Sequence, residues 1–378
     1  MREKEGRPRV VAISGDPGGA RAMAPVLGEL RAGGRVTLDA YAYKQAHALW
    51  TDLGIDHVQV PDPISLPEVE ELVSLGSCDL LLTSTSFGGI ELEKELIGFA
   101  RRRGVPSLTL LDTWGNYSQR FSDGEGRLVY LPDRIAVIDD LAYREMVEEG
   151  FDPGLLVITG QPAFDGLRPG TTRRRDRGKR TIMGKFPVGP GEVLVLFASQ
   201  PLSQIYGTGP SSPRYPGFDE WKVLRLLIEA LDAISSERNI GLVLVIRPHP
   251  REDPAPYLGM KGKQARVLVT GEGDARDWIR ESDLVAGMNS ILLVEACYLG
   301  VPVISLQPDL RGKDMLPTNQ AGLSRAVYRG EEIRPAIEEV LFNTEVRESM
   351  ISRMAGMPRG GQSTRRVAAL VYSMTGVE

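Results

Sequence analysis

The side chains best suited to chemistry stand in residues 283–308, DLVAGMNSILLVEACYLGVPVISLQP. The apolar run Leu284-Val285-Ala286 stops at Gly287, and Asn289-Ser290 falls where the apolar segment 291–299 needs a helix cap. Gly300 ends that helix, and Val301-Pro302-Val303-Ile304 reads as a strand buried on both faces. The unpaired N–H groups at such a helix start, together with the Ser290 hydroxyl and the helix dipole, suit a phosphate. Glu295, five residues on, can accept hydrogen bonds from sugar hydroxyls. The same pattern also fits a plain capped helix with Glu295 as a solvated surface charge.

A second concentration opens the chain. A strand at 9–13 runs into SGDPGGARAMAPVLGELRAGG, where Gly15, Gly18 and Gly19 allow a backbone to approach a ligand closely. Met23, Val26, Leu27 and Leu30 then give a helical stripe. The glycine spacing is not the dinucleotide fingerprint, so no NAD site follows.

The elements that must position these residues alternate between strand and helix. In the first half, strands are expected at 36–43, 79–83, 107–111, 134–138 and 157–159, with helices near 44–53, 67–75 and 91–103, the grammar of a parallel α/β sheet. The loops 84–89 and 112–116, which carry Ser84, Ser86, Asp112, Trp114 and Asn116, follow strand C-termini, where open α/β sheets bind ligands. Residues 168–180, RPGTTRRRDRGKR, read as a solvated interdomain linker, with a phosphate or peripheral membrane-surface patch as the alternative. The second half restarts with a strand at 192–197 followed by Ser199 and Gln200. Residues 202–218, rich in Gly, Pro and Ser, are expected to form a mobile lid without regular structure. An amphipathic helix at 219–237, with Trp221, Leu224, Leu227, Ile228 and Leu231 on one side, comes next. Strands at 242–246, 267–270, 283–286 and 301–306, with a helix at 274–281, complete a second sheet. The expected division is 1–170 and 171–358, with the closing helix of 359–378 packing back on the first domain.

Composition bounds the function. A chain of 378 residues, 42% hydrophobic and 25% charged, has the length of two soluble α/β domains. Its formal net charge of −5 argues against a general nucleic-acid binder, and no apolar run reaches membrane-spanning length. A cytoplasmic location is expected. Cys78 and Cys297 stand beside apolar segments and read as reduced core residues, and three histidines are too few for a multi-histidine metal centre.

Taken together, ARAMAPVLGEL, VITGQPAFDGL, the RPHP turn and GMNSILLVEACYLGVPVISLQ resemble the GT-B glycosyltransferase superfamily and its relative, the non-hydrolysing UDP-N-acetylglucosamine 2-epimerase. The ISGDPGGA opening is similar to lipid A disaccharide synthase, and the NS…EA unit to capsule and teichoic-acid transferases. The resemblance spans most of the chain. It implies two Rossmann-like α/β domains facing each other across a cleft, a donor nucleotide on the C-terminal half, an acceptor facing the N-terminal half, and no metal or other cofactor. The epimerase pattern has a Gly-Asp-Thr type motif near 83–86 and a His-x-Glu-Ala-Gly motif near 111–116; here stand Thr83-Ser84-Thr85-Ser86 and Leu111-Asp112-Thr113-Trp114-Gly115-Asn116. Most carboxylates for moving a proton on a sugar are therefore missing, which puts epimerisation second to glycosyl or polyol-phosphate transfer.

Within that resemblance His249, between two prolines at a strand end, is similar to the His-Pro motif that contacts the donor phosphate, and Arg247 shares the charge unless it pairs with Glu252 or Asp253. Ser199, Gln200, Asn289, Ser290 and Glu295 complete the donor set. Asp16 is the expected acceptor base and Asp112 the reserve, either of which also fits a cap or turn aspartate. Gly15, Gly18, Gly19, Ser84, Ser86, Trp114 and Asn116 are assigned to a carbohydrate or glycolipid acceptor. A non-catalytic nucleotide-sugar binder is the third reading.

Overall fold

The computed structural model describes residues 6–61, 68, 77–86, 91–167, 180–182, 186–357 and 362–377. Residues 67 and 69–75 of the expected helix, Phe87-Gly88-Gly89 of the loop 84–89, residues 168–179 of the basic segment and residues 359–361 lie outside the described residues. The chain divides into two compact units, Met1–Gly166 with Gly360–Glu378, and Leu167–Arg359.

The first unit runs β1 (Arg9–Ser14), α1 (Pro17–Gly33), β2 (Thr37–Ala42), α2 (Lys44–Asp52), β3 (Val58–Gln59), β4 (Leu80–Thr83), α3 (Leu92–Arg103), β5 (Ser107–Leu110), α4 (Tyr117–Phe121), β6 (Arg134–Val137), α5 (Asp140–Glu148) and β7 (Leu156–Ile158). Its strands pair in parallel in the order β3-β2-β1-β4-β5-β6-β7. Buried residues on successive positions of β1 and β4 are what a sheet covered on both faces demands. Met23, Val26, Leu27 and Leu30 of α1 bury as their spacing predicts, and Gly34, at φ 60, ends the helix in the left-handed conformation that glycine tolerates.

The second unit contains a short antiparallel hairpin, β8 (Arg180–Ile182) and β9 (Phe186–Val188), and then β10 (Val193–Ala198), α6 (Leu202–Tyr206), α7 (Glu220–Arg238), β11 (Leu242–Arg247), β12 (Arg266–Val269), α8 (Ala275–Glu281), β13 (Leu284–Gly287), α9 (Ile291–Tyr298), β14 (Val303–Leu306), α10 (Pro317–Gln320), β15 (Arg325–Val327), α11 (Ile333–Phe342) and α12 (Thr344–Ala355). The parallel order is β12-β11-β10-β13-β14-β15. β15 is a sixth strand that the sequence pattern does not announce, because three residues at a sheet edge carry too little periodicity. Both cysteines are free and buried.

The segment 202–218 differs from the expected unstructured lid. It begins as α6, whose Ser203 N–H donates to Glu220 at 2.9 Å. Tyr215 and Phe218 are buried, and the Arg311 N–H donates to the Pro216 carbonyl at 2.7 Å. Gly217, at φ 103, brings its backbone so close to the Asp309 carbonyl that a Cβ would lie 1.9 Å from the oxygen. Two buried aromatic anchors and a backbone bond hold a stretch whose composition alone suggests a coil.

The last helix, α13 (Ser363–Thr375), belongs to the first unit. Val367, Val371 and Tyr372 enter the core beside Leu27 and Leu30 of α1. Asp165, 198 residues upstream of Ser363, accepts from the Ser363 and Thr364 N–H groups at 3.2 and 2.8 Å, supplying from another part of the chain the cap that Gln362 does not give. Val371→Ala should therefore lower the stability of the first unit by about 2 kcal/mol. Hydrogen exchange at β1 and β4 amides during urea titration checks this, and unchanged protection there would show that α13 is not part of that core.

Candidate functional site

Each sheet reverses its strand order once, between β1 and β4 in the first unit and between β10 and β13 in the second. At such a reversal the two chains leave for opposite faces of the sheet and the loops at the strand C-termini stand apart, which opens a ligand crevice. The residues singled out from sequence lie at these edges. Gly15 and Asp16 follow β1, Ser84 and Ser86 follow β4, and Asp112, Trp114 and Asn116 follow β5. Ser199 and Gln200 follow β10, Arg247 ends β11 shortly before His249, and Asn289 and Ser290 follow β13.

In the second unit, Ser290 N-caps α9, its Oγ accepting from the Leu292 N–H at 3.3 Å. A hydroxyl that accepts still has its proton to donate, so capping and holding an anion use different parts of one group. Gln200 crosses the reversal: its Oε1 accepts from the Asn289 N–H at 3.1 Å. Asn289 Oδ1 is buried without a hydrogen-bond partner. Gly287 lets the strand ends close up, since a Cβ there would meet Leu293 at 2.7 Å and the Ala198 carbonyl at 3.0 Å.

His249 is held as a neutral donor. Its Nδ1 accepts from the Arg251 N–H at 3.1 Å, which leaves the ring proton on Nε2. Burial, reinforced by the Arg251 charge, pulls its pKa down to about 4. At neutral pH it therefore offers an N–H dipole rather than a cation. Arg247 donates to the Glu272 and Gly273 carbonyls at 2.9 and 2.6 Å, so its fork braces the turn after β12.

Two expectations change here. Ser199, assigned to the donor, is buried with its Oγ 3.2 Å from Glu252 Oε1 and 3.0 Å from the Tyr257 hydroxyl, so it shapes the loop from inside. Glu295, assigned to the donor's sugar hydroxyls with a solvated surface charge as the alternative, has both carboxylate oxygens taken by Arg276. It is 4% exposed, and the two bonds, at 3.0 and 3.2 Å, offset the cost of burying it.

The first unit gathers a buried polar cluster around Glu93, at the start of α3. Its carboxylate accepts from the Gly15 N–H at 3.0 Å, Ser86 Oγ at 2.8 Å, Ser84 Oγ at 3.3 Å and the Tyr43 hydroxyl. Ser14 and Ser84 hydroxyls meet across the reversal at 2.8 Å. Burial raises the Glu93 pKa, and the Tyr43 and Ser86 hydrogen bonds oppose it. The glycines prove tight for another reason than ligand approach. A Cβ on Gly15 would lie 2.3 Å from the Tyr43 ring, on Gly18 2.1 Å from Asp112 Oδ2, and on Gly19 2.4 Å from Ser84. Protein side chains fill the space that the sequence reserves for a ligand.

Asp16 occupies the N-cap position of α1 without a side-chain cap bond, and its carboxylate lies 3.6 Å from Lys44 Nζ. Lys44 itself has φ 47, an uncommon conformation for a side-chain-bearing residue. Asp112 accepts from Thr85 Oγ1 at 2.9 Å and Arg120 at 3.2 Å, while its carbonyl accepts from Gln161 at 2.6 Å. Trp114 donates to both Asp139 oxygens at 3.1 Å and stacks on Phe164, which leaves no indole N–H for an acceptor. Asn116, at φ 54, precedes α4 and makes no side-chain cap bond.

Glu93, Arg120, Glu252, Tyr257 and Arg276 are the site residues that sequence reading misses. Only Glu93 carries a signal, its i+4 and i+7 spacing to Ile97 and Ala100 on the buried face of α3. Among the described residues no group of three or more His, Cys, Asp or Glu is arranged to hold a metal ion, and no helix is long and apolar enough to cross a membrane.

No protein-family model matches the chain, and no curated protein matches it significantly. Solved structures do. The S. aureus MnaA–UDP structure covers 98% of both chains at TM-score 0.69 and 16% identity. UDP-GlcNAc 2-epimerase from Neisseria meningitidis, bound to UDP-GlcNAc, matches 97% of this chain and 100% of its own at TM-score 0.66 and 13% identity. The glycotransferase of kitacinnamycin matches 97% of this chain and 99% of its own at TM-score 0.62 and 17% identity. At these identities the likeness shows the fold: two Rossmann-like α/β units of the GT-B type, related in architecture to nucleotide-sugar epimerases and to a glycosyltransferase.

Proposed function

We propose that the protein is a nucleotide-sugar-dependent glycosyltransferase, moving a sugar or polyol phosphate to a carbohydrate or glycolipid acceptor. The observation that carries this reading is the strand reversal of the second unit. There Gln200 ties the loop after β10 to the N-terminus of α9, where the Ser290 hydroxyl is our first donor for a diphosphate, and His249, after the neighbouring strand β11, is the second through its Nε2–H. The UDP and UDP-GlcNAc complexes among the structural neighbours support a uridine nucleotide as the first ligand to try. In the reaction an acceptor hydroxyl oxygen attacks the anomeric carbon, the bond to the phosphate oxygen breaks, and the electron pair leaves with the nucleoside diphosphate. Ser290, His249 and the dipole of α9 take up the charge that develops there. The acceptor proton passes to Asp16, the more exposed carboxylate of its cluster, with Asp112 in reserve.

A second reading, C2 epimerisation, draws on one observation: Glu93 and Asp112 place two carboxyl groups around the same loop. Incubation with UDP-GlcNAc separates the two. UDP release only when an acceptor sugar is present supports transfer, a C2 epimer formed without acceptor supports epimerisation, and binding without turnover in any mixture leaves a nucleotide-sugar binding protein.

Ser290→Ala should weaken UDP binding by about 1.5–3 kcal/mol, the value of a hydrogen bond to a charged group. Ser290→Asp keeps a helix-capping side chain but brings a negative charge to the phosphate, so it should bind UDP more weakly still. Calorimetric titration beside urea unfolding checks both, and equal affinity in all three proteins removes Ser290 from the site.

His249 yields a pH prediction. Its folded pKa near 4 lies below the ordinary value of about 6.5. Between these values the unfolded chain binds the extra proton, so the contribution to stability is complete above about pH 6.5 and is lost as pH falls toward 4. Relative to His249→Asn, the wild type should lose stability more steeply across that window, and parallel profiles would show that the imidazole is not sequestered.

A further inference from the structure

We infer that Glu252 is a positioning residue for the donor edge, its buried carboxylate setting the pose of His249 and of the Ser199 loop. The inference rests on the reading that His249 faces the donor phosphate.

Glu252 is 8% exposed and collects three donors. Oε2 accepts from the His249 N–H at 2.6 Å, and Oε1 accepts from the Tyr257 hydroxyl at 2.5 Å and from Ser199 Oγ at 3.2 Å. The exchange is reciprocal, because the Glu252 N–H donates to the His249 carbonyl at 2.8 Å and closes the 249–252 turn. Inside that turn the Arg251 N–H reaches His249 Nδ1, which selects the Nε2–H tautomer. Tyr257, itself buried, stacks on Trp221 of α7 with ring centroids 4.7 Å apart. One carboxylate thus joins the end of β10, the turn after β11 and the surface of α7.

A carboxylate removed from water is costly unless donors replace its hydration, so the three bonds act as a unit. Without the carboxylate the His249 N–H loses its acceptor and the turn that orients the imidazole is released, while Ser199 and Tyr257 keep only each other. The titratable groups that act on it are Tyr257 and Glu220, Arg251 acts on His249, and Glu220 is itself taken up by Ser203.

The test uses the full chain labelled with 15N-histidine. Only three histidines are present, so loss of one signal set in His249→Asn assigns it. At pH 7.5 the wild type should show His249 as the Nε2–H tautomer. Glu252→Ala should give averaged ring signals and at least a tenfold loss of UDP affinity. Glu252→Gln, whose amide oxygen can still accept from the His249 N–H, should keep the tautomer and bind UDP within about threefold of wild type. If the alanine variant does not fold, Glu252→Asp replaces it, since the shorter side chain cannot reach His249 and Tyr257 together. An unchanged His249 tautomer in a folded alanine or aspartate variant overturns the inference. Averaged ring signals with unchanged UDP affinity support positioning by Glu252 and overturn instead the placement of His249 at the donor phosphate.

Discussion

The structure depends first on the handedness of parallel crossovers. Parallel crossovers turn to the right as a rule, so strands laid outward in opposite directions from β1 and β4, or from β10 and β13, send their connections to opposite faces of the sheet. The loops at those strand ends are left without a covering helix. Their backbone donors then have to be satisfied by side chains or by a ligand. The chemistry proposed sits at these two places and at the ends of the strands beside them, β5 and β11.

Both units meet that requirement with a buried carboxylate. Glu93 takes the Gly15 N–H and the hydroxyls of Tyr43, Ser84 and Ser86, and Glu252 takes the His249 N–H and the hydroxyls of Ser199 and Tyr257. In each case an acid from the following segment gathers loops that belong to different strands. Burial raises the pKa of both groups, so each hydrogen bond also holds down the cost of keeping a charge inside. The two edges differ in what remains available. Around Glu93 the glycine backbone is covered by Tyr43, Asp112 and Ser84, while in the second unit the Ser290 hydroxyl after β13 and the His249 Nε2–H after β11 each keep a proton to donate.

Ion pairing draws a further distinction among the carboxylates. Glu295 and Asp112 are each held by an arginine in a largely buried setting, where removing either partner leaves an uncompensated charge. Asp16 faces at a longer distance Lys44, the first residue of α2, whose φ of 47 is uncommon for a residue with a side chain. That difference is why Asp16 is favoured for moving a proton, with Asp112 behind it.

Much of the architecture was legible in the chain itself. The stripe Met23, Val26, Leu27, Leu30, the apolar strands, the Ser290 cap and the two-sheet α/β class all follow from spacings of a few residues, because helix period, strand burial and capping are local. Placement of the chemistry at strand C-termini follows from the same alternation. What the sequence could not decide is which side chains share a bond. Gly15 meets Glu93 across 78 residues, Ser199 meets Glu252 across 53, and Gln200 meets Asn289 across 89. Those pairings exist only once the strand order makes β1 a neighbour of β4 and sets β10 between β11 and β13, so the burial of Glu93, Glu252 and Glu295, the neutral state of His249 and the packing of 202–218 belong to the tertiary structure alone.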